Sequence, residues 1–95
     1  MKTKEFDEAD FLKTDEDVAA YITGALATGD AALITYALGV IARTHGMTRI
    51  ARETGLSRES LYRALSADGN PEFLTVLKIM EALGLRLTAE RAPAG

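Results

Sequence analysis

A chain of 95 residues, 47% of them apolar, is bounded to one small domain with a modest core, for which self-association is a natural way to bury more surface. It has no cysteine and a single histidine, which excludes disulfides, thiolate metal sites and a metal site built on histidine alone. The net charge of −3 weighs mildly against a nucleic-acid partner, and no apolar run approaches the ~20 residues of a membrane helix.

In chain order, "MKTKEFDEADFLK" alternates charged and apolar residues and lacks the apolar centre of a signal peptide, so the expected location is the cytoplasm. Thr14 or Asp15 can cap a first helix. Its acidic first turn (Asp15, Glu16, Asp17) suits a positive helix N-terminus, and Val18, Tyr21, Ile22, Ala25 and Leu26 follow at helical spacing. Thr28-Gly29 ends that helix and Asp30 caps the next, with Leu33, Ile34, Ala37, Leu38 and Ile41 on one face. Arg43 and His45 lie in its last turn, and Gly46 stops it. Thr48 is the expected cap of a short helix over 49–54 closed by Gly55, and Ser57 the cap of another over 58–67. "ADGNP" is a turn cluster in which Asn70 can cap a fifth helix with Pro71 in its first turn; Phe73, Val76, Leu77, Met80 and Leu83 form its apolar stripe, and Gly84 ends it. "LRLTA" (85–89) alternates as a strand does. It needs a partner, either the segment around Glu5–Leu12 or a second copy of the chain. The tail "RAPAG" is expected to be loose.

The fold class read from this pattern is all-α, five helices with a short terminal strand pair left open. The division is an N-terminal arm at 1–13, a helical domain at 14–84, and a strand and tail at 85–95.

Charge is unevenly placed along this frame. Residues 1–42 carry three basic and eight acidic side chains, residues 43–63 five arginines and two glutamates, and residues 64–95 three basic and four acidic groups. All of the basic excess therefore lies in one short stretch. Phosphate affinity is decided locally, over a Debye length of ~8–10 Å, so an acidic total does not exclude DNA.

That stretch contains "ARETGLSRESLYRAL", residues 51–65. A helix-turn-helix that reads DNA needs a small residue where its helices touch, a turn residue tolerant of positive φ, and a second helix with an apolar inner and a polar outer face. Ala51 and Gly55 meet the first two demands. Ile50, Leu56, Leu61 and Leu65 are inward candidates, which leaves Ser57, Arg58, Glu59, Tyr62 and Arg63 outward. Ser57 can cap the helix and bring its amide end to a phosphate. Arg58 and Arg63 can reach a guanine edge or a phosphate, Glu59 can accept from cytosine or steady an arginine, and Tyr62 can touch a phosphate or a thymine methyl. Each has a plainer reading. Ala-x-x-x-Gly also occurs in corners that bind nothing, and Tyr62 can serve as a packing residue with a wet hydroxyl. Arg43 and Arg52 can complement helix ends or pair with Glu53, and His45 reads as a helix-end residue. The acidic arm (Glu5, Asp7, Glu8, Asp10) can meet a basic partner or simply be solvated.

The string "GDAALITYALGVIARTHGMTRIARETGLSRESLYRALSADGNPEFLTVLKIMEALGLRL" resembles the addiction-module antidote proteins, or HigA-like antitoxins, within the lambda-repressor-like (Cro/C1, XRE) helix-turn-helix domains. The likeness spans about residues 5–88, and its marks are "GD", "IARETGLSRESLYRAL", "GNP" and "ALGLRL". The resemblance implies a five-helix DNA-binding domain that forms a homodimer and represses its own operon at a palindromic operator. It also implies neutralisation of a small ribonuclease toxin encoded beside it. Carried over by position, the groove-facing residues are Ser57, Arg58, Glu59, Tyr62 and Arg63, and Thr48, Arg49 and Asn70 fall at backbone-contacting positions. Two departures stand out. Met47 replaces a glutamine that in many such domains touches phosphate, and Ala64 replaces a larger apolar residue whose space falls to Leu65.

Catalysis has little footing. There is no cysteine, no partnered histidine, no phosphate-cradling glycine loop and no carboxylate pair at a recognisable spacing, so no enzyme, cofactor, metal or membrane association is expected. The alternatives are a phage-type repressor without a toxin and a protein-interaction bundle that does not bind DNA.

Overall fold

The helix starts are set by short polar side chains that satisfy first-turn amides. In the computed structural model, which describes residues 12–94, Thr14 holds an extended backbone and its Oγ1 accepts from the Asp17 amide at 3.0 Å. The Asp17 carboxylate accepts in return from the Thr14 and Lys13 amides at 3.2 Å, so the cap is reciprocal. It opens α1, Asp15–Ala27. Thr28 Oγ1 donates to the Ala25 carbonyl at 2.6 Å and accepts from the Asp30 amide at 3.0 Å, which locks the link to α2, Ala31–His45. Asp30 caps α2 by accepting from the Ala32 and Leu33 amides.

Gly46, at φ +100°, closes α2 and immediately opens α3, Met47–Thr54. The expected Thr48 cap is therefore replaced. Because one glycine makes the whole reversal, Met47 enters the core as the first helical residue and Thr48 already lies inside the helix. Gly55, at φ +79°, makes the next corner, and Ser57 caps α4, Arg58–Ala64, by accepting from the Ser60 amide at 3.0 Å. This helix is shorter than expected. After Leu65 the chain turns closely back, with the Gly69 amide donating to the Ser66 carbonyl at 2.8 Å. Glu72 stays extended, so Asn70 and Pro71 belong to the link rather than to α5, Phe73–Ala82. The end of α5 is closed by two reversed bonds around Gly84, from the Gly84 amide to the Glu81 carbonyl and from the Leu85 amide to the Met80 carbonyl.

α3 is the hub. It packs against α2, α4 and α5, while α1 packs on α2. Leu38, Ile41, Ile50, Leu61 and Ile79 are the fully buried centre, drawn from α2 to α5, and Val18, Ile22 and Ala25 attach α1. The α5 stripe differs from the one read off the sequence. Phe73 and Leu77 are exposed, together with Leu74, and Ile79 takes the central place. Apolar residues cover most of the circumference of this helix, with Lys78 and Glu81 on the exposed side, and it packs against α3 with Ile79 buried. Leu33, expected on the inner face of α2, is exposed, while Ile34 beside it is half-buried against the core.

The terminal strand pair left open in the sequence is not formed among the described residues. Residues 85–94 carry neither helix nor strand, and Leu85 and Leu87 are half-buried against the core while Arg86 and Thr88 are exposed. Among the described residues the alternation therefore accompanies one-sided packing on the core. Most of the partner segment considered around Glu5–Leu12 lies outside the described residues. Leu12 itself is buried in the core. A cavity of about 550 Å³ separates α1 from the C-terminal segment, lined by Ile22, Leu26, Met80, Leu85 and Arg86 among others.

Candidate nucleic-acid interface

The corner between α3 and α4 is built from the inside out. Ala51 is buried in α3, and its carbonyl accepts from the Gly55 amide at 2.9 Å. Thr54 is buried as well. Its hydroxyl donates to the Ile50 carbonyl at 2.8 Å and accepts from the Leu56 amide at 3.3 Å, stitching the last turn of α3 to the loop. Sequence reasoning passed over Thr54. The available signal was a hydroxyl placed directly before a helix-ending glycine, where side-chain and backbone bonds compete.

Leu61 and Leu65 are buried and Leu56 half-buried, which fixes the rotation of α4. Leu65 is buried and Ala64 half-buried. The opposite face carries Ser57, Arg58, Glu59, Tyr62 and Arg63, all exposed. Within it, Arg58 lies over the Tyr62 ring, its guanidinium carbon 5.6 Å from the ring centroid, and its Nη2 is 3.4 Å from the phenol oxygen. Tyr62 is therefore a platform for a cation as well as a packing surface. Ser57 Oγ also donates to Ser60 Oγ at 2.9 Å, which ties up the first turn of α4.

Thr48 and Arg49 are exposed on the first turn of α3, a helix whose N-terminus has no side-chain cap. Arg49 pairs with Glu53 at 3.1 Å across one helical turn. That exposed pair is worth only ~0.2–1 kcal/mol and yields easily to a stronger anion. Glu53 is thus engaged by Arg49 rather than by Arg52. Arg43 reaches the α2–α4 junction: its guanidinium and the Leu65 carbonyl both lie within 3.4 Å of the position a Gly39 Cβ would take. Asn70 is exposed on the α4–α5 link, and Met47 is buried, so its side chain is not available at the surface. His45 is half-buried, with Nδ1 lacking a partner among the described residues.

This arrangement places two arginine guanidiniums, a phenol, a carboxylate and a capping hydroxyl on one face of a short helix. Thr48 and Arg49 on α3 and Asn70 on the α4–α5 link are exposed as well. Such a set can donate in bidentate fashion to guanine or phosphate oxygens and accept from an exocyclic amine.

A model of the family described as "Probable addiction module antidote protein" matches residues 2–91. The chain belongs to this antidote family. Membership suggests an antitoxin role and implies a toxin partner. A protein of Haemophilus influenzae, described as uncharacterised, is 45% identical over 89 residues that span 94% of this chain and 92% of its own. No solved structure is a significant match. For this antidote-family chain, no helix among the described residues is long and apolar enough to cross a membrane.

Proposed function

We propose that this antidote-family protein is a HigA-like antitoxin of the XRE helix-turn-helix type. It binds a palindromic operator as a homodimer and represses its own operon, and it neutralises a small ribonuclease toxin encoded beside it in the cytoplasm. The role is one of binding, without catalysis, cofactor or metal. Residues 14–84 form the working domain, with 1–13 as an arm and 85–95 as a tail.

The observation that carries this reading is the two-sidedness of α4. Leu61 is buried on one side, while Ser57, Arg58, Glu59, Tyr62 and Arg63 share the exposed side. In mechanism, α4 enters the major groove. Arg58, steadied on Tyr62, and Arg63 read base edges, with Glu59 setting a preference for cytosine. Thr48 and Arg49 at the uncapped start of α3, and Asn70 on the far flank, hold the sugar–phosphate backbone and so set the register. Two copies would read half-sites about one turn apart, ~34–36 Å.

The test is binding to the promoter of the protein's own operon against random DNA of equal length, over a range of salt. Wild type should prefer the promoter, and the variant lacking both Arg58 and Arg63 should lose that preference. Equal binding to both DNAs by the wild type would end the specific-repressor reading. Co-purification with the adjacent gene product separates the antitoxin from a repressor that has no toxin.

A further inference from the structure

We propose that Arg43 is a positioning residue for the groove-facing helix: from the last turn of α2 it lies across Gly39 and holds the C-terminal end of α4 through the Leu65 carbonyl. The basis is a shared space beside α2. A Cβ on Gly39 would stand 3.2 Å from Arg43 Nη1, 3.6 Å from Arg43 Nη2 and 3.4 Å from the Leu65 carbonyl oxygen. Guanidinium and carbonyl therefore meet over the bare backbone of Gly39, one helical turn before Arg43 itself.

Three features give this meeting a purpose. Gly39 is buried inside α2 and is not among the glycines of positive φ, so its backbone does not call for glycine. A glycine in a helix interior costs stability relative to alanine. What it supplies here is room for the Arg43 guanidinium against the helix. An alanine would press first on that guanidinium, which is the flexible neighbour, and only then on the Leu65 backbone. Leu65, in turn, is the C-cap of α4. Carbonyls at a helix end lack amide partners from their own helix and favour a cation, and a guanidinium offers them a rigid fork of charged donors. Finally, α4 has only seven residues and packs on α3. Ser57 fixes its first turn, and a hold on Leu65 fixes the other end, two residues beyond Arg63. A swing of that end would carry Arg63 away from the base edge it is proposed to read.

In its purpose this inference rests on the DNA-binding reading. The hold on α4 is measured without DNA.

The experiment uses the full chain in two assays. The first is a titration against promoter and random DNA over several salt concentrations, with thermal melts alongside. Arg43→Met keeps the apolar stem and removes the charge. It should lose promoter preference several-fold while its salt slope and melting temperature stay close to wild type. Gly39→Ala keeps the arginine and takes its space. It should lose the preference to the same degree with a melting temperature equal to wild type or higher, because alanine is the better helix residue. The two changes together should lose no more than either alone. The second assay is amide hydrogen exchange free of DNA. The Leu65 and Ser66 amides, bonded to the Leu61 and Arg63 carbonyls, should exchange several-fold faster in both variants, and the Ile50 amide in α3 should not change.

An Arg43→Met chain that weakens on both DNAs alike and loses about 1 from its salt slope would make Arg43 a phosphate contact and overturn the proposal. Unchanged exchange at Leu65 and Ser66, or full promoter preference in Gly39→Ala, would do the same. So would a Gly39→Ala chain that melts well below wild type, since the backbone would then be yielding in place of the guanidinium. A wild type without promoter preference removes the DNA-binding reading instead. Faster exchange in both variants would in that case still uphold the hold of Arg43 on α4.

Discussion

Arg63 and Arg49 make different predictions although both are exposed arginines near the same corner. Arg63 lies on the outward face of α4, so Arg63→Ala should weaken binding to the preferred operator by ~1–3 kcal/mol and blur the preference at one base position. Arg49 lies on the first turn of α3 beside Glu53. Its removal should weaken binding to all sequences alike and lower the salt slope by about 1. A filter-binding or anisotropy titration over several salt concentrations reads both. Two other residues matter for the fold around the corner. A Cβ on Gly69 would collide with the Ala64 carbonyl, so Gly69→Ala should force the α4–α5 link apart and cost about 1–3 kcal/mol. Thr54→Val keeps the shape of the side chain but strands the Leu56 amide, at a cost of ~1 kcal/mol. Thermal melts check both, and a melting temperature equal to wild type for Gly69→Ala would show that the link has another way to close.

At the scale of elements, the informative comparison is between α4 and α5. The rotation of α4 is legible in the sequence because leucines four apart alternate with charged residues, and only one face can go inward. α5 is apolar on nearly every side, so its own sequence does not say which leucine is buried; α3 decides, and it takes Ile79 over Leu77. Gly46 shows the opposite limit. A helix and its successor can share a single hinge residue, which local capping rules read as a stop followed by a separate start at Thr48. The C-terminal segment carries the prediction at this scale. Leu85 and Leu87 rest half-buried on the core without forming a ladder among the described residues. Truncation after Gly84 should therefore lower stability by roughly the partial burial of two leucines, ~1–3 kcal/mol. Chemical denaturation tests this, and a truncated chain as stable as the full one would show that Leu85 and Leu87 add nothing to the core.

The whole molecule combines an acidic total with a basic centre. Its net charge is −3, yet the region from Arg43 to Arg63 holds five arginines against two glutamates, and it folds into the end of α2, α3 and α4. The long-range field of the chain therefore opposes DNA while the local field at α3 and α4 favours it. Promoter affinity should accordingly be moderate and fall steeply with salt, as a straight line of log K against log salt. Affinity indifferent to salt would exclude a phosphate-anchored complex. In the proposed reading a basic toxin would meet the acidic first turn of α1 (Asp15, Glu16, Asp17) and DNA would meet α4, so the two need not compete for one surface. Adding the co-purified toxin to the promoter complex should give a larger complex in a gel-shift assay rather than displace the DNA.

What the sequence by itself determined were the features that depend on neighbours along the chain. These are five helices, their caps at Thr14, Asp30 and Ser57, the glycine corners, the inward set Ile50, Ala51, Leu61 and Leu65, and the outward set on α4. Each follows from hydrogen-bonding and periodicity rules that act over a turn or two of helix. Only the tertiary structure decided the rotation of α5, the burial of Met47 and Thr54, the contact of Arg58 with Tyr62, and the failure of residues 85–89 to pair within the described chain. Those outcomes depend on which surfaces meet across the core. An apolar side chain looks the same in sequence whether its fold buries it, as with Ile79, or leaves it exposed, as with Phe73 and Leu74.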